Sequence, residues 1–373
     1  MKRRTWIVAD SIVSPLGYTT RANVDHILQG HSGITNISDE TLSAVPFYTS
    51  RISGIEDNEY ATRLEEITFI AVDDVVRETG IDASRSVFIL STTKGNISFL
   101  ERGQPDHSRI HLPALAKFVA DRFGFKRSLV VSNACISGVM ALLVARRIID
   151  SGEVDHVVVA GVDVLSKFVV SGFQSLQAMS PEACRPFDAS RKGINIGEAA
   201  AAMIVTAKPD ELRSTVPIRI AGGGLSNDAN HISGPSRTGA ELAFAIGQAL
   251  SEANVQRSSI DFISAHGTAT VYNDEMEAKA FALAGLTDRP THSLKGYYGH
   301  TLGAAGVLEV ALNAESLRRD VLLPSHGFEQ LGVSQPLNII TRVSTQPLNV
   351  CLKTASGFGG CNAAIILTKE NHD

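Results

Sequence analysis

An α/β fold with largely buried sheets is what this sequence predicts, and three observations lead there. Short apolar runs at residues 87–90, 157–160, 218–221, 262–265 and 363–367 read as buried strands. Longer amphipathic stretches at residues 64–77, 139–149, 240–253 and 307–318 have helical spacing. The two kinds alternate along the chain, as expected of an α/β protein. At 373 residues the chain exceeds the usual size of one hydrophobic core, so two domains or two fused halves are expected.

The N-terminal MKRRTWIVADSIVSPLG starts basic, but its apolar stretch is short and broken by Asp10, Ser11 and Ser14, unlike a signal peptide. No run of about 18 apolar residues occurs, so no membrane span is expected. Apolar residues make up 44% and charged residues 20%, which is ordinary for a soluble globular protein. A formal net charge of −5 lacks the basic excess of a nucleic-acid binder. Cys135, Cys184, Cys351 and Cys361 show no C-x-x-C spacing, so neither a disulfide framework nor a zinc site is implied. A reduced cytoplasmic setting is the simplest reading.

An internal echo divides the chain. SNACISGVMALLVARRIIDSGEVD in the first half has the layout of GYYGHTLGAAGVLEVALNAESLRRD in the second: a small-residue turn runs into a helix that ends in a basic pair. GINIGEAAAAMIVTAK and SGFGGCNAAIILTKE are similarly alike. Two α/β halves fused in tandem are expected, residues 1–209 and 210–373, with the junction at 208–214, where the sequence turns charged after a strand.

Four segments could carry chemistry. In Ser132-Asn-Ala-Cys135-Ile-Ser-Gly138 an apolar strand runs through a polar turn into a helix. Cys135 then sits near a helix N-terminus, where partial positive charge stabilises a thiolate and N–H groups can bind an oxyanion. Its thiol pKa is expected below the free value of about 8.5. Ala134 and Gly138 leave room for a substrate. A small cysteine packed as a hydrophobe fits the segment as well. Ser264-Ala-His266-Gly-Thr-Ala-Thr270 places a histidine just after a strand, with Asn273, Asp274 and Glu277 able to cap and brace the next helix. Leu294-Lys295-Gly-Tyr-Tyr-Gly-His300 carries a lysine and a second histidine on a glycine-interrupted loop, and Glu309 could reach Lys295 or buried water. A solvated loop with a tight helix contact is the plain alternative. Ser356-Gly-Phe358-Gly-Gly360-Cys-Asn362 makes Phe358 a mobile wall or gate, or only the tip of a hairpin. A cysteine, two histidines and a lysine, each on a loop at a strand end, suit covalent catalysis with a second substrate. Gly222-Gly223-Gly224 follows a strand but lacks the frame of a dinucleotide or phosphate loop.

With these motifs in order, the chain resembles the elongating β-ketoacyl-acyl-carrier-protein synthases and the polyketide ketosynthases, nearly end to end. SPLG, QGHSGI, SNACISG, RPFDASRKGINIGEAAAAMIV, SNDANHISGP, HGTATVYND, LKGYYGHTLGAAGVLE and SGFGGCN carry the likeness. The resemblance implies a thiolase fold, with two sheets and their helices in five αβαβα layers built from duplicated halves, and a dimer. It implies decarboxylative Claisen condensation of an enzyme-bound acyl thioester with malonyl-acyl-carrier protein, in fatty-acid or polyketide and polyene biosynthesis. By the same resemblance Cys135 accepts the acyl chain, the N–H groups of Cys135 and Phe358 form the oxyanion hole, and His266 and His300 hold the malonyl carbonyl and the enolate. Lys295 organises the histidines, Thr268 and Thr270 contact the pantetheine arm, and Phe173 and Phe358 line or gate the acyl pocket. No metal or redox cofactor is implied; substrates ride on the phosphopantetheine of acyl-carrier protein, the expected partner, beside a second copy or a related chain.

There are departures from the family pattern. The stretch between Ile37 and Ser128 is short, which bears on chain-length preference. Gln177 stands where many members have a basic docking residue, while Arg63 remains at another docking position. Ser356 replaces a common aromatic residue beside the gate. Such changes suit a specialised pathway at least as well as housekeeping fatty-acid synthesis. Among rival readings, a thiolase needs a second cysteine as base, and Cys361 lies after the GFGG turn instead of in a C-x-G-G-G frame. The initiating and chalcone-type enzymes would show Cys-His-Asn, against His300. Non-catalytic ketosynthase-like partners have lost the cysteine that Cys135 retains.

Overall fold

The computed structural model describes residues 3–212, 215–230 and 232–369. Ser214, at the end of the expected junction, and His231, within SNDANHISGP, lie outside the described residues. The main strands in chain order are β1 (Trp6–Val13), β2 (Val87–Ser91), β3 (Arg127–Val131), β4 (His156–Asp163), β5 (Ala199–Thr206), β6 (Ile218–Asn227), β7 (Phe262–Ser264), β8 (Pro290–His292), β9 (Asn338–Ile339), β10 (Val350–Gly357) and β11 (Cys361–Lys369). The helices that position the site are α1 (Arg63–Thr79), α2 (Ser137–Asp150), α3 (Lys167–Ser175), α4 (Ala240–Ala253), α5 (Val271–Leu283) and α6 (Ala305–Arg319).

These strands form one 11-stranded sheet in the order β9-β8-β7-β10-β11-β6-β1-β5-β4-β2-β3. The two sheets that were expected are the two halves of this ladder. The ladder runs unbroken because β1 and β6 pair antiparallel at Trp6–Arg219 and Ile7–Ile218, a seam of two residue pairs. On either side of the seam the order is the same, with the third strand outermost, then second, fourth, fifth and first; β9 adds an edge beyond β8. The directions repeat too. β2 is parallel to β3 and β4, and β5 is antiparallel to β4 and β1. In the second half β7 is parallel to β8 and β10, and β11 is antiparallel to β10 and β6.

The strands read as unbroken apolar runs because both faces are covered. In β4, Val157 and Val159 face a central core while Val158, Ala160 and Val162 face an outer one. In β11, Ala363, Ile365 and Leu367 face the same central core, and Ala364 and Ile366 face the outer core of the second half. The central core is built on α2 and α6, which lie between the two halves of the sheet. Layers of helix, sheet, helix pair, sheet and helix follow. Gly138 of α2 and Gly306 of α6 let the two central helices touch along their backbones. A Cβ on Gly306 would lie 2.3 Å from Val139 N, and one on Gly138 would lie 2.8 Å from Gly306 Cα. The space expected beside Gly138 for substrate is filled by this crossing. Gly222, Gly223 and Gly224 lie inside β6, not after it. No helix among the described residues is long and apolar enough to cross a membrane.

Candidate active site

Cys135 sits where the chain turns from β3 into α2. Ala134 takes a φ of +45°, a left-handed conformation uncommon for a residue with a side chain. Ser137 holds the turn: its hydroxyl donates to Ala134 O at 2.6 Å and accepts from Asn133 N–H at 2.7 Å. Cys135 is 9% exposed, at the floor of a cavity of about 380 Å³. The hairpin between β10 and β11 crosses above it. A Cβ on Gly357 would lie 3.0 Å from Cys135 N, so glycine is what allows this approach. The Phe358 N–H is thereby near enough to the Cys135 sulfur to favour its thiolate. Burial pushes the thiol up to about 12, against the lowered value expected from the helix N-terminus. The Cys361 thiol adds to the rise, while Lys295 and the Phe358 N–H oppose it. Burial thus favours the thiol over the thiolate in the resting site.

His266 and His300 complete the floor. Their ring centroids are 5.1 Å apart, nearly perpendicular at 83°. One ligating atom from each ring and the Cys135 sulfur all lie within 4.8 Å of one another. His300 Nδ1 accepts from Leu302 N–H at 3.3 Å. This places the hydrogen of the neutral ring on Nε2, which has no partner among the described residues. The ring presents a donor to the cavity, the wrong polarity for a metal ligand. Burial, and then the Lys295 charge, hold both imidazoles well below their ordinary value.

The surroundings of His266 are held at several points. Glu277 of α5 accepts from the N–H groups of His266 and Gly267 at 2.8 and 2.6 Å. Lys295 Nζ donates to His266 O and to Glu309 Oε1, both at 2.6 Å. Lys295 opens a single helical turn (Lys295–Tyr298) that is wholly buried, so the solvated loop is excluded.

Known proteins resemble this chain in sequence and fold. Models of the β-ketoacyl synthase N-terminal and C-terminal domains match residues 101–211 and 218–329. A Streptomyces cyaneus protein named as a polyketide β-ketoacyl synthase is 30% identical, over 99% of this chain and 98% of its own. The chain belongs to the β-ketoacyl synthase family. The 3-oxoacyl-[acyl-carrier-protein] synthase 2 of Vibrio cholerae is 26% identical over 99% of both chains. A chain of the complex of the ketosynthase ApeO with its chain length factor ApeC, from Xenorhabdus doucetiae, superposes with a TM-score of 0.86 at 26% identity, covering 99% of this chain and 98% of its own. The fold is therefore the thiolase fold of the ketosynthases, and the protein is an acyltransferase of that class.

The other expected ketosynthase residues fall at different depths. Thr268 and Thr270 line the cavity with their hydroxyls 2.9 Å apart, and Thr270 caps α5. Asp274 and Glu277, expected to cap and brace that helix, lie within it and brace the loop before it. Asp274 accepts from the N–H groups of Thr268, Ala269 and Phe187; burial pushes its carboxyl up to about 7. Phe173 on α3 stacks on Phe358 with centroids 5.7 Å apart, across the cavity wall. Phe358 is at a hairpin tip and lines the cavity. Gln177 is exposed at the cavity mouth, beside Lys192. Cys361 does not line the cavity; its thiol donates to Phe358 O at 3.4 Å, behind the hairpin, which leaves no second cysteine base.

Arg63 requires correction. It is 8% exposed, with its guanidinium 2.6 Å from Glu198 and donating to the carbonyls of Ile52 and Ile55. A buried, paired arginine ties α1 to the interior and offers no charge to a docking partner. Two groups escaped sequence reasoning. Asn195 O accepts from His300 N–H at 2.7 Å, fixing the start of the His300 loop. Lys353, fully buried in β10, stands 2.5 Å from Glu309 Oε2. Its signal was available: a lone cation within the apolar strand VCLKTASG must find a buried partner.

Proposed function

We propose that this ketosynthase joins an acyl group held on Cys135 to a malonyl unit delivered on acyl-carrier protein, with loss of carbon dioxide. The observation that carries it is the convergence of one thiol and two neutral imidazoles within 4.8 Å at the floor of one cavity. In the first step the Cys135 sulfur attacks the acyl thioester carbonyl as its proton leaves. The oxyanion takes N–H groups from Cys135 and Phe358, and the pantetheine thiol departs with a proton. In the second, the malonyl thioester oxygen accepts from His300 Nε2–H and from His266. The bond to the carboxylate breaks, carbon dioxide leaves, and the electron pair enters the enolate. The enolate carbon attacks the Cys135 thioester, and the tetrahedral intermediate collapses with expulsion of the cysteine sulfur, which regains a proton. No step needs a strong base for a C–H proton, which is why donors suffice.

The carrier partner is supported by the name of the Vibrio cholerae relative. The dimer partner is a second copy or a related ketosynthase-like chain, by likeness to ApeO and its chain length factor. β3 supports this, as a terminal strand with Leu129 40% exposed. A reduced cytoplasmic setting accords with four free cysteines. The reaction is tested by mass spectrometry and carbon dioxide release with acyl- and malonyl-carrier proteins. Wild type gains an acyl mass on Cys135 and Cys135→Ala does not. His300→Ala still acylates but releases carbon dioxide about 100- to 1,000-fold more slowly. Acylation of Cys135→Ala, or undiminished decarboxylation by His300→Ala, would refute these roles.

A further inference from the structure

Lys353 belongs to none of the motifs that mark the site, yet it lies directly behind His266. Its Nζ stands 2.5 Å from Glu309 Oε2 and donates to Ala265 O at 3.2 Å. Lys295 takes the other oxygen of Glu309 and the next carbonyl, His266 O. Two consecutive carbonyls are thus held by two ammonium groups that share one carboxylate, while Glu277 holds the N–H groups of His266 and Gly267. One lysine would neutralise Glu309. The second leaves this buried triad with one net positive charge, an arrangement that costs desolvation energy and needs a reason.

We propose that Lys353 is a positioning residue for decarboxylation, fixing the peptide that carries His266 and placing a second positive charge, beside that of Lys295, behind the two imidazoles, where the malonyl carboxylate and the enolate bring negative charge. The role rests on the condensing reaction proposed above. Lys353 exchanges no proton in it; the breaking bond is carbon to carboxylate, and its electrons end in the enolate.

The titratable and charged groups around the imidazoles come from several elements: Cys135 before α2, Asp163 from β4, Asp274 and Glu277 from α5, Glu309 from α6, Lys295 from the turn before His300, and Lys353 from β10. Lys353 is among the charges that disfavour the protonated rings. Protonation would set an Nδ1–H of His300 against the Leu302 N–H, so activity falls at low pH. Removing the Lys353 charge makes protonation easier and moves that acid limb upward.

The test compares wild type, Lys353→Met, Lys353→Gln and Lys353→Arg in two assays, acylation of Cys135 and carbon dioxide release from malonyl-carrier protein across pH. Lys353→Met is expected to acylate within about threefold of wild type and to decarboxylate about 10- to 100-fold more slowly. Its acid limb shifts upward by about one pH unit. Lys353→Gln keeps a donor without charge, so it shows the same shift with a smaller rate loss, and it carries the test should the methionine variant not fold. Lys353→Arg restores the limb. Equal losses in both assays with an unmoved limb would mean that Lys353 only supports the fold and would overturn the proposal, as would unchanged decarboxylation. Absence of carbon dioxide release from wild type would overturn the underlying reaction, and this role with it.

Discussion

Glu309→Gln removes the one carboxylate that serves two buried cations, and its consequence can be worked from the geometry. Lys295 and Lys353 lie 2.6 and 2.5 Å from its oxygens, and all three side chains are buried. Burial alone would raise the Glu309 carboxyl, but the two lysines more than offset this and hold it below its ordinary value. Removing one partner of a buried ion pair costs about 3–5 kcal/mol, because the other charge is left unpaired. Here two charges are left, so the upper part of that range is expected. The sharper expectation concerns the double variant. Lys353→Met in the Glu309→Gln background removes one stranded ammonium and should restore about 1–3 kcal/mol, although it deletes a second polar group. Urea unfolding followed through the single tryptophan, Trp6 at the sheet seam, reads both. A loss below about 1 kcal/mol for Glu309→Gln would refute the ion-pair reasoning. So would a double variant whose losses simply add.

Two further outcomes follow from packing. Gly306→Ala places a methyl group 2.3 Å from Val139 N, against backbone that cannot yield cheaply, and should cost about 1–3 kcal/mol or more in urea unfolding; wild-type stability would show that the central helices do not cross there. Arg63→Met strands Glu198 in the interior and should cost about 3–5 kcal/mol, while rates with carrier-bound and free pantetheine thioesters change in the same proportion; selective loss with the carrier-bound substrate would return Arg63 to the docking rim.

Strand positions were legible because doubly covered strands leave apolar runs with no polar interruption, as in AAAAMIVT of β5. β6 was read too short for the converse reason. Its three glycines carry no apolar signal, and only the structure shows α4 packed on Gly222 and Gly224 and Leu143 of α2 on Gly223, with Ala245 O 2.0 Å from where a Gly224 Cβ would stand. Cys135, His266, Lys295 and His300 stood out because each lies in a small-residue turn at a strand end. Lys353 did not, since its contacts with Ala265 and Glu309 cross the fold, the former spanning 88 positions. Arg63 was misread for the same reason, its partner Glu198 being 135 positions away. The Cys135 thiol went the other way from expectation because local helix geometry is visible in a sequence and desolvation is not.

The crossing of α2 and α6 also bears on how the protein is made. Val139, Leu142 and Leu143 of α2 join a core that includes Val307, Val310 and Ala311 of α6. On a ribosome adding about 5–20 residues per second, the stretch from the end of α2 at Asp150 to the end of α6 at Arg319 takes roughly 10–30 s to appear. For that interval α2 has no α6 to pack against, and the nascent chain carries an exposed oily ridge, a natural target for chaperones. Cys135 is then already synthesised but the Phe358 hairpin is not, so by the proposed mechanism its oxyanion hole is complete only once β10 and β11 are in place.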